Sequence, residues 1–315
     1  MTTALFAFLL YLQSDKLALA WQSDHDAAVK LAKEQKKLLV VHFAADWCGK
    51  CKKMEAETFS DGDVAKLGEA SYVHARFDCD RHKELWAKYK GESVPSIIVV
   101  DPATGETVAT VIDYVGPEAY AEFLRAIGPA WARLPAARAA AEKSPNDADL
   151  LSALAQVYVD LRRGDDAKAA YEKVCATIEP RKPLDDKGRG QLAVAYRWLA
   201  DSIGSAHRFA EAAVYGDKLG AIDPENKTGL LDDVQPWRAL AASDKNMDEA
   251  LRIVEDALKR WPESNVADFL GFLEGGIWHE KGEEAKAVAA WKRVAEKWPK
   301  TRWGVQAKAA LDHKH

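Results

Sequence analysis

Two cysteines separated by two residues, in Trp47-Cys48-Gly49-Lys50-Cys51, follow directly on the apolar run Leu38-Leu39-Val40-Val41-His42-Phe43. The run reads as a buried strand, so the chain is expected to pass from strand to helix at the first thiol. A helix beginning there sets the Cys48 sulfur at its N-terminus, where the macrodipole favours thiolate, and keeps Cys51 one turn inside. Cys48 is then the attacking thiol and Cys51 the resolving one. Zinc binding would need two further ligands at matching spacing. Cys79 and Cys175 stand alone and no second Cys-x-x-Cys or paired histidine motif is present, so no metal is expected.

A second signature lies downstream: Ser93-Val94-Pro95-Ser96, the apolar strand Ile97-Ile98-Val99-Val100 and the turn Asp101-Pro102-Ala103-Thr104-Gly105. Together with the stretch from Asp46 through Met54 and Phe59 to Asp61, it resembles the thioredoxin-like family, in particular the C-terminal domain of the periplasmic disulfide interchange proteins. The resemblance runs from about Trp21 to Gly128. It implies an α/β thioredoxin-like sandwich, a cis Val94-Pro95 bond lying against the dithiol, a proline-loop backbone that pairs with an incoming substrate strand, and a Trp47 that covers the dithiol.

Between these landmarks, periodicity predicts an amphipathic helix over Asp26–Gln35, a buried strand over Tyr72–Phe77 and a helix over His82–Tyr89. An edge strand over Thr107–Tyr114 and a closing helix over Pro117–Ile127 complete the domain. Two departures from the family bear on mechanism. His42 stands where thioredoxins carry a buried Asp that moves the proton of the resolving thiol, and His74 falls near the residue facing it. An imidazole there either accepts that proton near neutral pH or is a core residue satisfied by a carbonyl. Lys50 is the second departure. A cation between the sulfurs stabilises the Cys48 thiolate and is expected to raise the potential above thioredoxin's value of roughly -270 mV. Lys52 and Lys53 read as a solvated helix face, and Cys79 and Cys175 as buried structural thiols.

Beyond Gly128 strands disappear and the period becomes helical. Ala167-x-x-x-Tyr171 before Pro180, Ala212 before Asp223-Pro224, Ala250-x-x-x-Val254 before Trp261-Pro262 and Ala287-x-x-x-Trp291 before Trp298-Pro299 recur at about forty residues. This resembles tetratricopeptide repeats. Four helix pairs are expected, with first helices over 149–162, 190–202, 227–242 and 265–281, a partial pair at 131–143 and a capping helix over 301–312. Such an array offers a groove for an extended peptide or a partner's helix. Most of the eight tryptophans from Trp131 onward are expected in inter-helix packing rather than in that groove.

The domain reading is therefore a signal peptide over 1–20, a thioredoxin-like domain over 21–128 and helical repeats over 129–315. Ala4 to Leu12 is too short an apolar run to span a bilayer, and Ala18-Leu19-Ala20 matches an export cleavage pattern, which points to a periplasmic or secreted protein. Met1-Thr2-Thr3 lacks the usual positive charge, which keeps an uncleaved helix and a cytoplasmic location open. A net charge of -5 without a basic stripe argues against nucleic acid as a partner. No phosphate loop, catalytic triad or paired catalytic carboxylate stands out, and no cofactor is expected. The sequence thus supports a thiol-disulfide oxidoreductase whose repeats recruit a substrate or an electron partner. Its alternative is a repeat-based scaffold whose redox domain is incidental.

Overall fold

The computed structural model describes residues 19–312, so the signal-peptide reading over 1–20 lies almost entirely outside the described residues. The chain divides into two compact units, the first running to Ala136 and including Val157–Arg163, the second formed by Ala137–Gln156 and the residues from Gly164 onward.

The first unit is built on a five-stranded sheet of order β1-β3-β2-β4-β5, with β1 Trp21–Gln22, β2 Leu38–Ala44, β3 Tyr72–Asp78, β4 Ser96–Val100 and β5 Thr107–Ile112. β1, β3 and β2 run parallel, β4 pairs antiparallel with β2, and β5 pairs antiparallel with β4. Val41 pairs with Ala75 on one side and Ile98 on the other, placing β2 at the centre of the sheet. Its apolar run is continuous because both faces are covered. On one face Val41, Phe43, Ala75, Phe77 and Ile98 pack with Ala28 and Ala32 of α1 His25–Gln35 and with Leu85 and Trp86 of α4 Lys83–Lys88. The other face holds His42 and His74, ringed by Trp21, Phe59 and Tyr72.

Several elements of this unit differ from the sequence expectation, beginning with β1, where no strand is predicted. No element is predicted over 62–71, where a helix α3, Gly62–Ser71, forms. Asp61 caps it by accepting from Asp63 N–H and Val64 N–H at 2.9 and 3.0 Å. Gly68 inside it is needed for space, since a Cβ there would sit 2.7 Å from His74 Nε2. The edge strand β5 stops at Ile112 rather than Tyr114 because Asp113 turns to φ 84°. The closing helix does not end at Ile127, and no separate helix occupies 131–143. One helix, α5 Pro117–Lys143, runs through Pro129 and Pro135. Each proline removes one backbone donor, which neighbouring turns tolerate when the apolar face stays buried, as Ile127, Ala130 and Leu134 are.

The second unit is helical throughout: α6 Ala148–Asp160 begins in it, followed by α7 Gly164–Ile178, α8 Asp186–Ser205, α9 Phe209–Ile222, α10 Gln235–Ser243, α11 Met247–Arg260, α12 Ala267–Glu280, α13 Glu284–Lys297 and α14 Arg302–Asp312. This is the expected four pairs and cap. The small residue of each second helix, Ala167, Ala212, Ala250 and Ala287, has no exposed surface. Glycines on the first helices admit large neighbours: Gly204 lies under Trp237, and Gly275 under Trp291. α10 begins eight residues later than expected, because Asp223 folds the preceding segment into a loop. Its carboxylate accepts from Lys227 N–H, Thr228 N–H and the Thr228 hydroxyl, at 2.7, 2.9 and 2.6 Å. Most tryptophans of this unit do pack between helices. Phe209 stacks on Trp237 and Phe269 on Trp303, the two pairs meeting edge to face at Trp237 and Phe269, and Trp291 is 4 % exposed.

Candidate active site

At the end of β2 the chain turns through Ala45-Asp46-Trp47 and enters α2, Gly49–Glu57, with Cys48 as its N-cap. The Cys48 sulfur accepts the Cys51 backbone N–H at 3.0 Å, so an unpaired donor of the first helical turn is spent on sulfur. Cys48 and Cys51 are joined as a disulfide with their Cα atoms 5.3 Å apart. Cys48 is 5 % exposed and Cys51 1 %, so the sulfur expected to be open shows only an edge in this oxidised form. Gly49 has open space where a side chain would stand, leaving the approach to Cys48 clear on that side.

The pair packs against Ala44, Ala45, Cys79 and Val94. The Val94-Pro95 bond is cis, which brings the proline loop against the dithiol. The Pro95 carbonyl accepts the Asp113 backbone N–H at 2.9 Å, and the Ser96 hydroxyl donates to the Ser93 carbonyl. Pro95 has no N–H, so of the two residues of the cis bond only Val94, which packs against the dithiol, carries both a backbone donor and an acceptor.

Trp47 is 70 % exposed yet fixed, since its indole Nε1–H donates to Asp80 at 2.8 Å. Asp80 is itself placed by the Asp78 carboxylate, which accepts from the Asp80 and Arg81 N–H groups at 2.9 and 3.1 Å. Lys50 donates to Asp113 at 2.6 Å, with both side chains more than half exposed. Lys53 does more than solvate the helix: its ammonium lies 4.5 Å above the Tyr114 ring, whose hydroxyl donates to Glu57 at 2.6 Å.

His42 is fully buried, with its ring 4.9 Å from Phe59 and 5.8 Å from Trp21. Neither of its nitrogens, nor those of His74, has a hydrogen-bond partner among the described residues, so the carbonyl expected to satisfy His42 is not there. Burial first, then the Arg76 and His74 charges, hold His42 down to about 3. Burial lowers His74 to about 4, with the nearby Gly68 backbone pulling the other way. The two lie diagonally on one sheet face, since His74 pairs with Val40 and His42 is two residues further along β2. A ring held that low is a neutral acceptor at pH 7, and keeping a proton there costs about 5 kcal/mol.

Cys79, just past β3, touches both the dithiol cluster and the main core. Burial, then Asp80 and Asp78, push its thiol up. Cys175 is buried, and burial followed by Glu179 pushes it up to about 12. Among the described residues no group of three or more His, Cys, Asp or Glu is placed to hold a metal ion. Sequence reasoning missed Asp80 and Asp113. A lysine between two cysteines calls for a counter-charge, but the partner lies 63 positions away and nothing local announces it.

Residues 25–128 match the family model for a thioredoxin-like domain. Over 91 residues the chain is 37% identical to protein disulfide isomerase-like 2-3 of Oryza sativa subsp. japonica, a match covering 27% of this chain and 20% of that protein. The chain thus spans about a fifth of that relative's length. The oxidised C-terminal domain of Neisseria meningitidis DsbD is 24% identical, over 34% of this chain and 99% of that one, with a TM-score of 0.30. YrrB, a TPR protein with an unusual peptide-binding site, is 17% identical over 60% of this chain and 89% of its own, with a TM-score of 0.46. The part of the chain that carries Cys48, Cys51 and the cis-proline loop, residues 25–128, is a thioredoxin-like domain.

Proposed function

We propose that the protein exchanges thiols and disulfides with protein substrates, with Cys48 attacking and Cys51 resolving. The observation that carries this is the Cys51 N–H directed at the Cys48 sulfur from the first turn of α2. That bond and the helix dipole favour the thiolate over the thiol. In the reducing direction, the Cys48 thiolate attacks one sulfur of the substrate disulfide. The substrate S–S bond breaks, a mixed disulfide forms, and the departing thiolate takes a proton from water. Cys51 loses its proton to solvent and attacks the Cys48 sulfur, closing the Cys48–Cys51 disulfide and releasing the second substrate thiolate. Two electrons pass to the substrate, and the oxidising direction is the reverse.

Val94 offers its backbone to an extended substrate segment, and Trp47, exposed beside the dithiol, offers it an apolar surface. Gly49 keeps that approach open. His42, held neutral at pH 7 and with neither ring nitrogen hydrogen-bonded among the described residues, stays outside this proton step. The helical repeats supply peptide binding for a substrate or for the partner that recharges the dithiol. Export, read from residues 1–20, would set the dithiol in an oxidising compartment, and N-terminal sequencing of secreted protein tests it.

An insulin-reduction assay comparing wild type with Cys48→Ser tests the reading. Thiol-dependent turnover is expected in wild type alone. Equal rates in both would overturn it, and retained peptide binding without turnover would favour the scaffold reading.

A further inference from the structure

The cation between the two cysteines is held from across the sheet. Asp113, directly after β5, meets Lys50 at 2.6 Å. It sits at φ 84°, a region that side-chain-bearing residues avoid and that Asp and Asn tolerate better than most. Two bonds fix it there. Its N–H donates to the Pro95 carbonyl at 2.9 Å, and its Oδ1 accepts from the Tyr114 N–H at 2.6 Å. Asp113 therefore touches both halves of the site: its backbone holds the cis-proline loop, and its side chain holds the cation of the dithiol loop. Tyr114 continues the contact along α2 through Glu57 and Lys53, which lie 3.9 Å from each other. The Lys50 bond first, then the Tyr114 N–H, keeps the Asp113 carboxyl below its ordinary range, so it is charged throughout the neutral region.

We propose that Asp113 is a positioning residue that sets the reduction potential of the Cys48–Cys51 pair by holding the Lys50 ammonium away from the Cys48 sulfur. The assignment rests on the thiol-exchange reading above. In the disulfide the sulfurs are neutral and the ion pair has no competitor. Once Cys48 is a thiolate, it and the Asp113 carboxylate draw on the same ammonium, and what the carboxylate keeps the thiolate loses. Removing the carboxylate frees Lys50 for the thiolate, stabilises the reduced protein and makes the dithiol more oxidising.

The measurement is the equilibrium in which protein disulfide and two glutathione thiols give protein dithiol and one glutathione disulfide, with two electrons and two protons transferred. Asp113→Asn keeps a residue that tolerates positive φ. It is expected to shift the constant toward dithiol about threefold, which is about 14 mV at roughly 30 mV per tenfold. The shift should shrink in 1 M salt, where screening acts over about 3 Å. In a Lys50→Gln background Asp113→Asn should change nothing. An unchanged constant in Asp113→Asn overturns the proposal. So does a shift of the same size in the Lys50→Gln background, which would assign the effect to direct repulsion between carboxylate and sulfur. A wild-type protein that does not equilibrate with glutathione at all would instead remove the exchange activity, and this assignment with it.

Discussion

Acidification from pH 7.5 to 4.5 should strip the thioredoxin-like unit of much of its stability through two buried imidazoles. His42 is held at about 3 and His74 at about 4, against about 6.5 when the chain is unfolded. Between those values the unfolded chain binds protons that the folded chain refuses. The stabilisation is therefore complete above pH 6.5 and is lost as the pH falls. At pH 4.5 the medium is two units below the unfolded value, which at about 1.4 kcal/mol per unit removes between 2 and 3 kcal/mol per ring and about 5 kcal/mol for the pair. Domains of this size are stable by about 5–15 kcal/mol, so the loss is a large fraction. With a urea slope of about 2 kcal/mol per molar, the midpoint should fall by roughly 2–3 M. Hydrogen exchange read on peptides 38–44 and 72–78 in urea follows this unit separately from the helical one. A His42→Leu/His74→Leu protein should lose most of that pH dependence. An unmoved wild-type midpoint, or the same fall in the double variant, would refute the reasoning.

Other consequences follow from single contacts. Trp47→Ala should raise KM for a disulfide-containing protein several-fold while changing stability by less than about 0.5 kcal/mol, because the ring is 70 % exposed; a compensating fall in Tm without a KM change would argue against a substrate role. Gly275→Ala should destabilise the helical unit by about 1–3 kcal/mol, since its Cβ would lie 2.3 Å from Trp291 Nε1, and thermal melting measures it. In reduced protein, iodoacetamide followed by mass spectrometry should modify Cys48 first and Cys175 last, because burial pushes the Cys175 thiol up to about 12; early Cys175 labelling would contradict its placement.

The parts of this molecule that were legible in the sequence are those set by local pattern. β2 and β4 are continuous apolar runs bounded by motif residues, and Cys48 at a strand-to-helix junction has few other ways to fold. The repeats were legible because a small residue, a large one and a proline keep phase, so that Ala250 and Ala287 fall on buried faces. What escaped depends on contacts distant in the chain. α5 continues through Pro129 and Pro135 because buried Leu134 outweighs the lost donors. Gly68 carries no sequence signal of its own, yet it is a close-approach residue under His74. The late start of α10 follows from one buried carboxylate, Asp223, whose turn bonds resemble those of any exposed Asx residue until burial is known. Asp113 looked like the end of a strand, and only its φ and its bond to Lys50 mark it as part of the site.

The account turns on the acidity of one sulfur. Absorbance at the thiolate band, followed through a pH titration of reduced wild type with Cys51→Ala alongside, measures it for Cys48. The helix N-terminus and the Cys51 N–H predict a midpoint clearly below the free-thiol value of about 8.5 in both proteins. A midpoint at or above that value would contradict the claim that this turn of helix makes Cys48 the attacking thiolate.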